Sequence, residues 1–387
     1  MREVFTTFLR LGLTSFGGPI AHLGYFRRTL VEERGWLDEP AYARIVALCS
    51  VLPGPTSSQV GMLIGLVRAG APGALLAWLG FTLPSAVLMA LIAWALGSAG
   101  GHDPPVWFAG LLDGLFAAAA AVVAQAVLAL GKSLCTDAPT KTLAFAAAIV
   151  ALALRPLPGL QWLPIALGAA CGALWFRDAV RAEALPIRVP RTVAAVAALV
   201  FVALLAVTVL PDGPVVALLA TIVRAGSLVF GGGHVVLPLL HGLVADGLIG
   251  ERQFFAGYGA AQAMPGPLFT FASYLGFANA SPLHGALGAL AATVLIFAPS
   301  FALIFAIAPV WNRLAALPGA GGALRGANAS VVGLLGAVLY DPIVVSLGTG
   351  WPRVAIALAA YALIAVWNVA PWIVVLGAAA LGALLGS

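Results

Sequence analysis

The residues best equipped for chemistry in this chain sit at breaks in apolar sequence. One break reads Arg10-Leu11-Gly12-Leu13-Thr14-Ser15-Phe16-Gly17-Gly18-Pro19, and another reads Pro53-Gly54-Pro55-Thr56-Ser57-Ser58-Gln59. Arginine, hydroxyl and amide side chains offer hydrogen-bond donors to an anion, and glycine lets a ligand approach bare backbone. Proline straight after glycine suits the first turn of a helix, as at Pro19, Pro55 and Pro267. A helix that starts inside a membrane exposes its first, unpaired N–H groups there, and its dipole adds partial positive charge. The chemistry expected of such breaks is capture of a small oxyanion.

The pattern occurs twice. Arg224-Ala225-Gly226-Ser227-Leu228-Val229-Phe230-Gly231-Gly232-Gly233 repeats the first break and Pro265-Gly266-Pro267 the second, while Ala298-Pro299-Ser300 echoes Leu83-Pro84-Ser85, at offsets of 212 to 215 residues. Paired Gly/Pro interruptions in corresponding places of two halves point to the binding site of a secondary transporter. The copies are chemically unequal, because Leu268, Phe269 and Thr270 replace Thr56-Ser57-Ser58. The candidate substrate-binding residues are Arg10, Ser15, Phe16, Gly17, Gly18, Pro53, Gly54, Pro55, Thr56, Ser57 and Gln59. Their counterparts are Arg224, Phe230, Gly231, Gly232, Pro265, Gly266 and Pro267. Arg10 and Arg224 have two readings. An intramembrane arginine marks a functional site and its planar fork suits an oxyanion, whereas a snorkelling one only reaches the headgroups.

The elements that position these residues follow from composition. Of 387 residues, 62% are hydrophobic and 9% charged, against about a quarter charged in a soluble domain. Apolar runs at 73–97, 106–131, 192–210, 283–309 and 324–347 are each long enough to cross about 30 Å of hydrocarbon. Shorter runs at 141–154, 160–176, 354–367 and 370–386 fit tilted or short helices. The fold class expected is all-α, a polytopic helical membrane protein. The N-terminus carries the first repeat and has no signal-peptide pattern. Cys49, Cys135 and Cys171 lie far apart without metal-ligand spacing, so no metal or cofactor is expected. The net charge of +5 is spread among short loops and is no nucleic-acid signal.

The expected organisation is a repeat at 1–177, a basic linker plus one unmatched helix at 178–213, and a second repeat at 214–387. An extra helix between units that each cross an even number of times inverts the second relative to the first. Half-helices at 3–14, 18–34, 38–52 and 55–70 then form re-entrant hairpins, which puts 15 of the 19 Lys and Arg on the cytoplasmic side. Asp113 and Asp341 are expected near outer helix ends as solvated carboxylates, with a coupling proton as their other possible use. The tryptophans are expected at helix ends as an interfacial belt. His234 adjoins a break and is read as a packing residue.

On these motifs the chain resembles the chromate ion transporter family in its two-unit form. The resemblance rests on Phe8-Leu9-Arg10-Leu11-Gly12-Leu13-Thr14-Ser15-Phe16-Gly17-Gly18-Pro19, Leu52-Pro53-Gly54-Pro55 with Gln59, Phe230-Gly231-Gly232, Pro265-Gly266-Pro267 and the segment Gly326 to Leu335. It implies a multi-pass carrier of the bacterial inner membrane that expels chromate on the proton motive force. The partners implied are chromate or a similar oxyanion such as sulfate, and membrane lipid, with a homodimer left open. Many members continue the first Pro-Gly-Pro with Glu-Ala-Gln-Gln, where this chain has Thr56-Ser57-Ser58-Gln59. Fewer negative charges there suit an anion. No metalloprotease, paired-aspartate or Ser/His motif appears within the helices, which argues against an enzyme.

Overall fold

The computed structural model describes residues 1–16, 18–99, 106–154, 163–176, 189–209, 213–229, 236–310, 319–347 and 350–385. Gly17, Phe230, Gly231, Gly232 and His234 therefore lie outside the described residues. Those that are described form helices and connections, with no strand among them.

Helix α1 (Arg2–Thr14) ends where Ser15 turns to an extended conformation, and α2 (Gly18–Phe26) runs on as a π-helical turn over Arg27–Glu33. α3 (Glu39–Val51) is capped by the Asp38 carboxylate, which accepts from the Ala41 N–H at 2.8 Å. It stops at extended Leu52, before Pro53 and Pro55. α4 (Thr56–Ala99) is broken by non-helical Ala69 and Gly70 into two arms. The breaks thus fall within a residue or two of those expected from Gly/Pro placement.

Charged residues collect at the open ends of these hairpins. Glu3 pairs with Arg34 at 3.2 Å and Arg68 at 3.5 Å, and Arg27 with Glu32 at 2.6 Å and Glu39 at 2.7 Å. The start of α1, the end of the π turn, the start of α3 and the kink of α4 therefore meet at one face. The Gly/Pro breaks lie at the other, buried end. The closed side packs through aromatic edges, with ring centroids 5.6 Å apart for Phe8 and Phe26 and 5.0 Å for Phe26 and Phe81. Such pairs contribute about 0.5–1.5 kcal/mol each beyond area burial.

Beyond α5 (Val106–Leu134), α6 (Ala138–Ala153) and α7 (Leu163–Trp175) comes α8 (Arg191–Val207), which has no buried residue and packs on its successors. The second half has α9 (Pro214–Leu228), short α10 (Val236–Leu240) and α11 (Gly242–Ala245), then α12 (Glu251–Gln262) and α13 (Phe271–Ala278). It closes with α14 (Gly285–Ile307), α15 (Ala320–Val338), α16 (Trp351–Ala365) and α17 (Pro371–Leu385). Among the described residues, four helical segments are long and apolar enough to cross a membrane, and further apolar helices are shorter. The protein is an all-α, multi-pass membrane protein.

Contacts between the halves are reciprocal. α5 packs on α16 and α17, while its counterpart α15 packs on α6 and α7. α1 crosses α4 as α9 crosses α14, each at a glycine. A Cβ on Gly12 would stand 2.6 Å from the Phe81 carbonyl oxygen, and one on Gly226 would strike the Ile296 carbonyl. Small residues give this close approach in membranes, where van der Waals packing drives helix association. Ion pairs join the halves as well. Asp113 of α5 bridges Arg252 of α12 at 2.5 Å and Arg353 of α16 at 3.0 Å, and Arg325 of α15 meets Asp137 at the cap of α6 at 2.6 Å.

Two expectations need correction. Asp113 is not a freely solvated carboxylate: the neighbouring half brings two arginines to it because α12 and α16 pack on α5. Trp78 is not in an interfacial belt. It sits mid-helix, 9% exposed, against Phe297 and Phe301, whereas Trp94, Trp107, Trp175, Trp351 and Trp367 are exposed near helix ends.

Candidate substrate site at the helix breaks

The breaks of one half dock on those of the other. Gly54 N–H donates to the Val229 carbonyl at 2.6 Å, and Gly266 N–H donates to the Ser15 carbonyl at 2.8 Å. Ser15 and Val229 are equivalent residues, as are Gly54 and Gly266, so each first break meets the opposite Pro-Gly-Pro. Both glycines have positive φ, 119° and 88°, which L side chains rarely adopt. A side chain at Gly54 would run into Ser300 and Gln59, and one at Gly266 would stand 2.9 Å from Ser85 Oγ. Ser85 and Ser300 are equivalent too.

This exchange corrects the simplest version of the anion site. The Gly54 and Gly266 amides are engaged between the halves and are not free donors. What remains at the start of α4 are the N–H groups of Thr56, Ser57 and Ser58, which have no preceding turn to bond, and a set of buried polar side chains. Ser15, Ser57, Ser58, Gln59, Thr82, Ser85 and Ser300 are each 3% exposed or less. Gln59 Nε2 donates to the Pro53 carbonyl at 2.6 Å and to Ser300 Oγ at 3.3 Å, and Ser85 Oγ donates to the Thr82 carbonyl at 3.1 Å. Ser15 Oγ, Ser58 Oγ, Gln59 Oε1 and Thr82 Oγ1 have no hydrogen-bond partner. Buried polar atoms are ordinarily satisfied, so this concentration marks a place built for a polar occupant.

The second Pro-Gly-Pro offers less. Pro265, Gly266 and Pro267 are buried, but a 3-10 turn over Leu268–Thr270 follows them, and Thr270 Oγ1 donates back to the Pro267 carbonyl at 2.8 Å. Its neighbours Phe269 and Phe271 are apolar and buried. All of the polar set but Ser300 comes from the first copy.

The arginines are elsewhere. Arg10 is exposed on α1, sharing the outward face with Thr6, Leu13 and Thr14 while Thr7, Phe8 and Leu11 turn inward. The helical period carries it away from the buried cluster. Arg224 donates from Nη2 to the Thr208 carbonyl at 3.1 Å, at the C-terminal end of α8, where a cation complements the helix dipole. Neither guanidinium contacts the described residues of the breaks. Phe16 packs on Trp372 of α17 with centroids 5.5 Å apart, a contact between the halves. Gly18 and Pro19 open α2.

Sequence reasoning passed over His22. It is 1% exposed, its Nδ1 shares a 3.2 Å hydrogen bond with Ser57 Oγ, and its ring meets the Phe81 edge at 5.3 Å. Nε2 has no hydrogen-bond partner. The signal was available: His22 follows Gly18 by one helical turn, so both lie on the same face of α2.

Comparison with known proteins identifies the family. A model described as "Chromate transporter" matches residues 2–175 and again 216–383. The chain belongs to the chromate transporter family. It is 31% identical to a chromate transport protein of Pseudomonas aeruginosa, over 88% of this chain and 80% of that protein. It is 30% identical to a chromate transport protein of Cupriavidus metallidurans, over 88% and 82% respectively. A probable chromate transport protein of Synechococcus elongatus is 29% identical over 81% of this chain and 77% of that one. No solved structure matches. The chromate transporter family is a family of membrane carriers and not of enzymes.

Proposed function

We propose that this protein is a secondary active transporter that exports chromate, a tetrahedral doubly charged oxyanion, across the bacterial inner membrane at the expense of the proton motive force. The buried polar set around the start of α4, with open hydroxyls on Ser15, Ser58 and Thr82, carries this reading, together with the relatives' activity. Hydroxyls of Ser15, Ser57 and Ser58 and the first N–H groups of α4 hold the anion, and Gln59, whose amide nitrogen donates to Pro53 and Ser300, braces the site between the halves. Gly54 and Gly266 shape the site by tying the halves together.

The protein consists of repeats at 1–177 and 214–387, with 178–213 as linker and inverting helix. The second repeat is inverted, and the hairpins of α1 to α4 enter to mid-depth and leave on the cytoplasmic side. The reciprocal hydrogen bonds at Ser15, Gly54, Val229 and Gly266 support a two-fold relation, since such an axis makes contacts mutual. The charge cluster around Glu3 supports re-entry, because it gathers the open hairpin ends at one face. Irregular backbone at mid-depth is tolerable where protein surrounds it, and here it is buried.

The test is uptake into everted vesicles with labelled chromate or sulfate, with and without a proton gradient. Gradient-dependent chromate accumulation above empty-vector vesicles is expected. Accumulation equal to empty-vector vesicles would refute the reading, and sulfate uptake outpacing chromate would reassign the substrate.

A further inference from the structure

The cluster at the start of α4 lacks one thing a doubly charged anion needs when it leaves water. Burying charge is costly unless opposite charge or strong hydrogen bonds meet it. Arg10 faces outward and Arg224 is engaged at α8. Serine hydroxyls and backbone dipoles supply only partial charge. His22 is the titratable side chain set among the described members of the cluster, and it is fully enclosed.

Among the described residues, the groups that face it are neutral. Ser57 meets it from the first arm of α4, Phe81 from the second arm, and the Ser15 backbone from the end of α1. The charged residues of its own hairpin, Arg27, Arg28, Glu32, Glu33 and Arg34, are paired at the distant open end. With no partner on Nε2, the ring has an open hydrogen-bonding position, as do the buried hydroxyls of Ser15, whose backbone borders the ring, and of Ser58, next to Ser57 on α4.

We infer that His22 is the proton-carrying ligand of the anion site: it takes one proton from the side the oxyanion enters and gives it up where the anion leaves. The loaded carrier thus moves one net negative charge, and export draws on the membrane-potential part of the proton motive force. In the loaded state imidazolium Nδ1–H donates to Ser57 Oγ, which turns its own O–H to the anion, and Nε2–H becomes a charge-assisted donor. Proton and anion then bind with mutual cooperativity, as linkage requires. Ser57 is thus a ligand of the anion that also orients the ring. This inference rests on the reading of the cluster as an oxyanion site.

The experiment is calorimetric titration of purified wild-type protein in lipid nanodiscs with chromate near pH 8, where free chromate is already a dianion. Buffers of different ionisation enthalpy reveal the protons taken up. Expected are close to one proton per anion in wild type and none in His22→Gln, with affinity lowered roughly 10-fold to 100-fold, the worth of a buried charge-assisted hydrogen bond. Ser57→Ala should bind more weakly while keeping proton uptake. Wild-type binding without proton uptake would overturn the inference whether or not any variant folds, as would His22→Gln with unchanged affinity and uptake. If wild type binds chromate no better than a Gly54→Val control, the oxyanion site itself is wrong.

Discussion

Gly54 shows how much a single position carries. Its φ of 119° disfavours any L side chain by about 1–2 kcal/mol, and the space where a Cβ would go is held by Ser300 and Gln59. Gly54→Val should abolish oxyanion binding in protein that still inserts, read as loss of the calorimetric signal with helical circular dichroism retained. Unchanged affinity would move the site elsewhere. The arginines predict something different. Arg10→Gln should change affinity by less than about twofold, because its side chain leaves α1 on the outward face. A fall of 10-fold or more would put it back among the ligands. Arg224→Gln should lower thermal stability by about 1 kcal/mol through loss of the bond to the Thr208 carbonyl, with affinity for chromate intact.

Helices are held to one another here by small-residue crossings and by a few ion pairs spanning the halves. Asp113 is the hub of two of them, with its side chain 20% exposed. Asp113→Asn should destabilise by about 1–2 kcal/mol, since hydrogen bonds to charged partners are lost but partial exposure weakens them. A melting temperature equal to wild type would show that packing of α5 on α16 and α17 suffices alone. At the other end, hydrogen bonds from Thr140 and then the Arg325 guanidinium hold the Asp137 carboxyl below the usual carboxylate range. A depressed folded-state value means this tie is present above the ordinary carboxylate range and is lost as pH falls through the lowered one. Acid unfolding of Asp137→Asn should accordingly lack the part of the slope that wild type shows there.

The whole molecule is two half-structures that complete each other. Each Pro-Gly-Pro finds its hydrogen bond on the opposite half, and α5 and α15 each pack against the other half's closing helices. Neither half is therefore expected to fold alone, and co-expressed halves should assemble only as a pair. Topology is open to direct measurement. Cysteines at Glu33 and Gly350, both exposed, should label from opposite faces of the membrane, the first from the cytoplasm. Labelling of both from the same side of intact cells would rule out inversion with re-entrant hairpins.

The sequence by itself determined the class, the repeats and the places where helices stop. Hydrocarbon thickness sets run length, and Gly and Pro act on local backbone, so Ser15, Leu52 and the α4 kink at Ala69 and Gly70 could be read from neighbours in the chain. It also separated a polar from an apolar copy, because Thr56-Ser57-Ser58 against Leu268-Phe269-Thr270 is a difference of residue type. Only tertiary structure decided which donors were left over. Gly54 and Gly266 looked like free amides until residues more than 170 positions away in the chain supplied their acceptors. Arg10 looked like a ligand because depth along a helix can be counted, whereas the direction a side chain faces depends on what packs beside it. His22 went unnoticed for the converse reason: Ser57 and Phe81, which enclose it, come from the two arms of α4. Distance along a chain predicts where a helix ends, and contact between segments decides what its end is for.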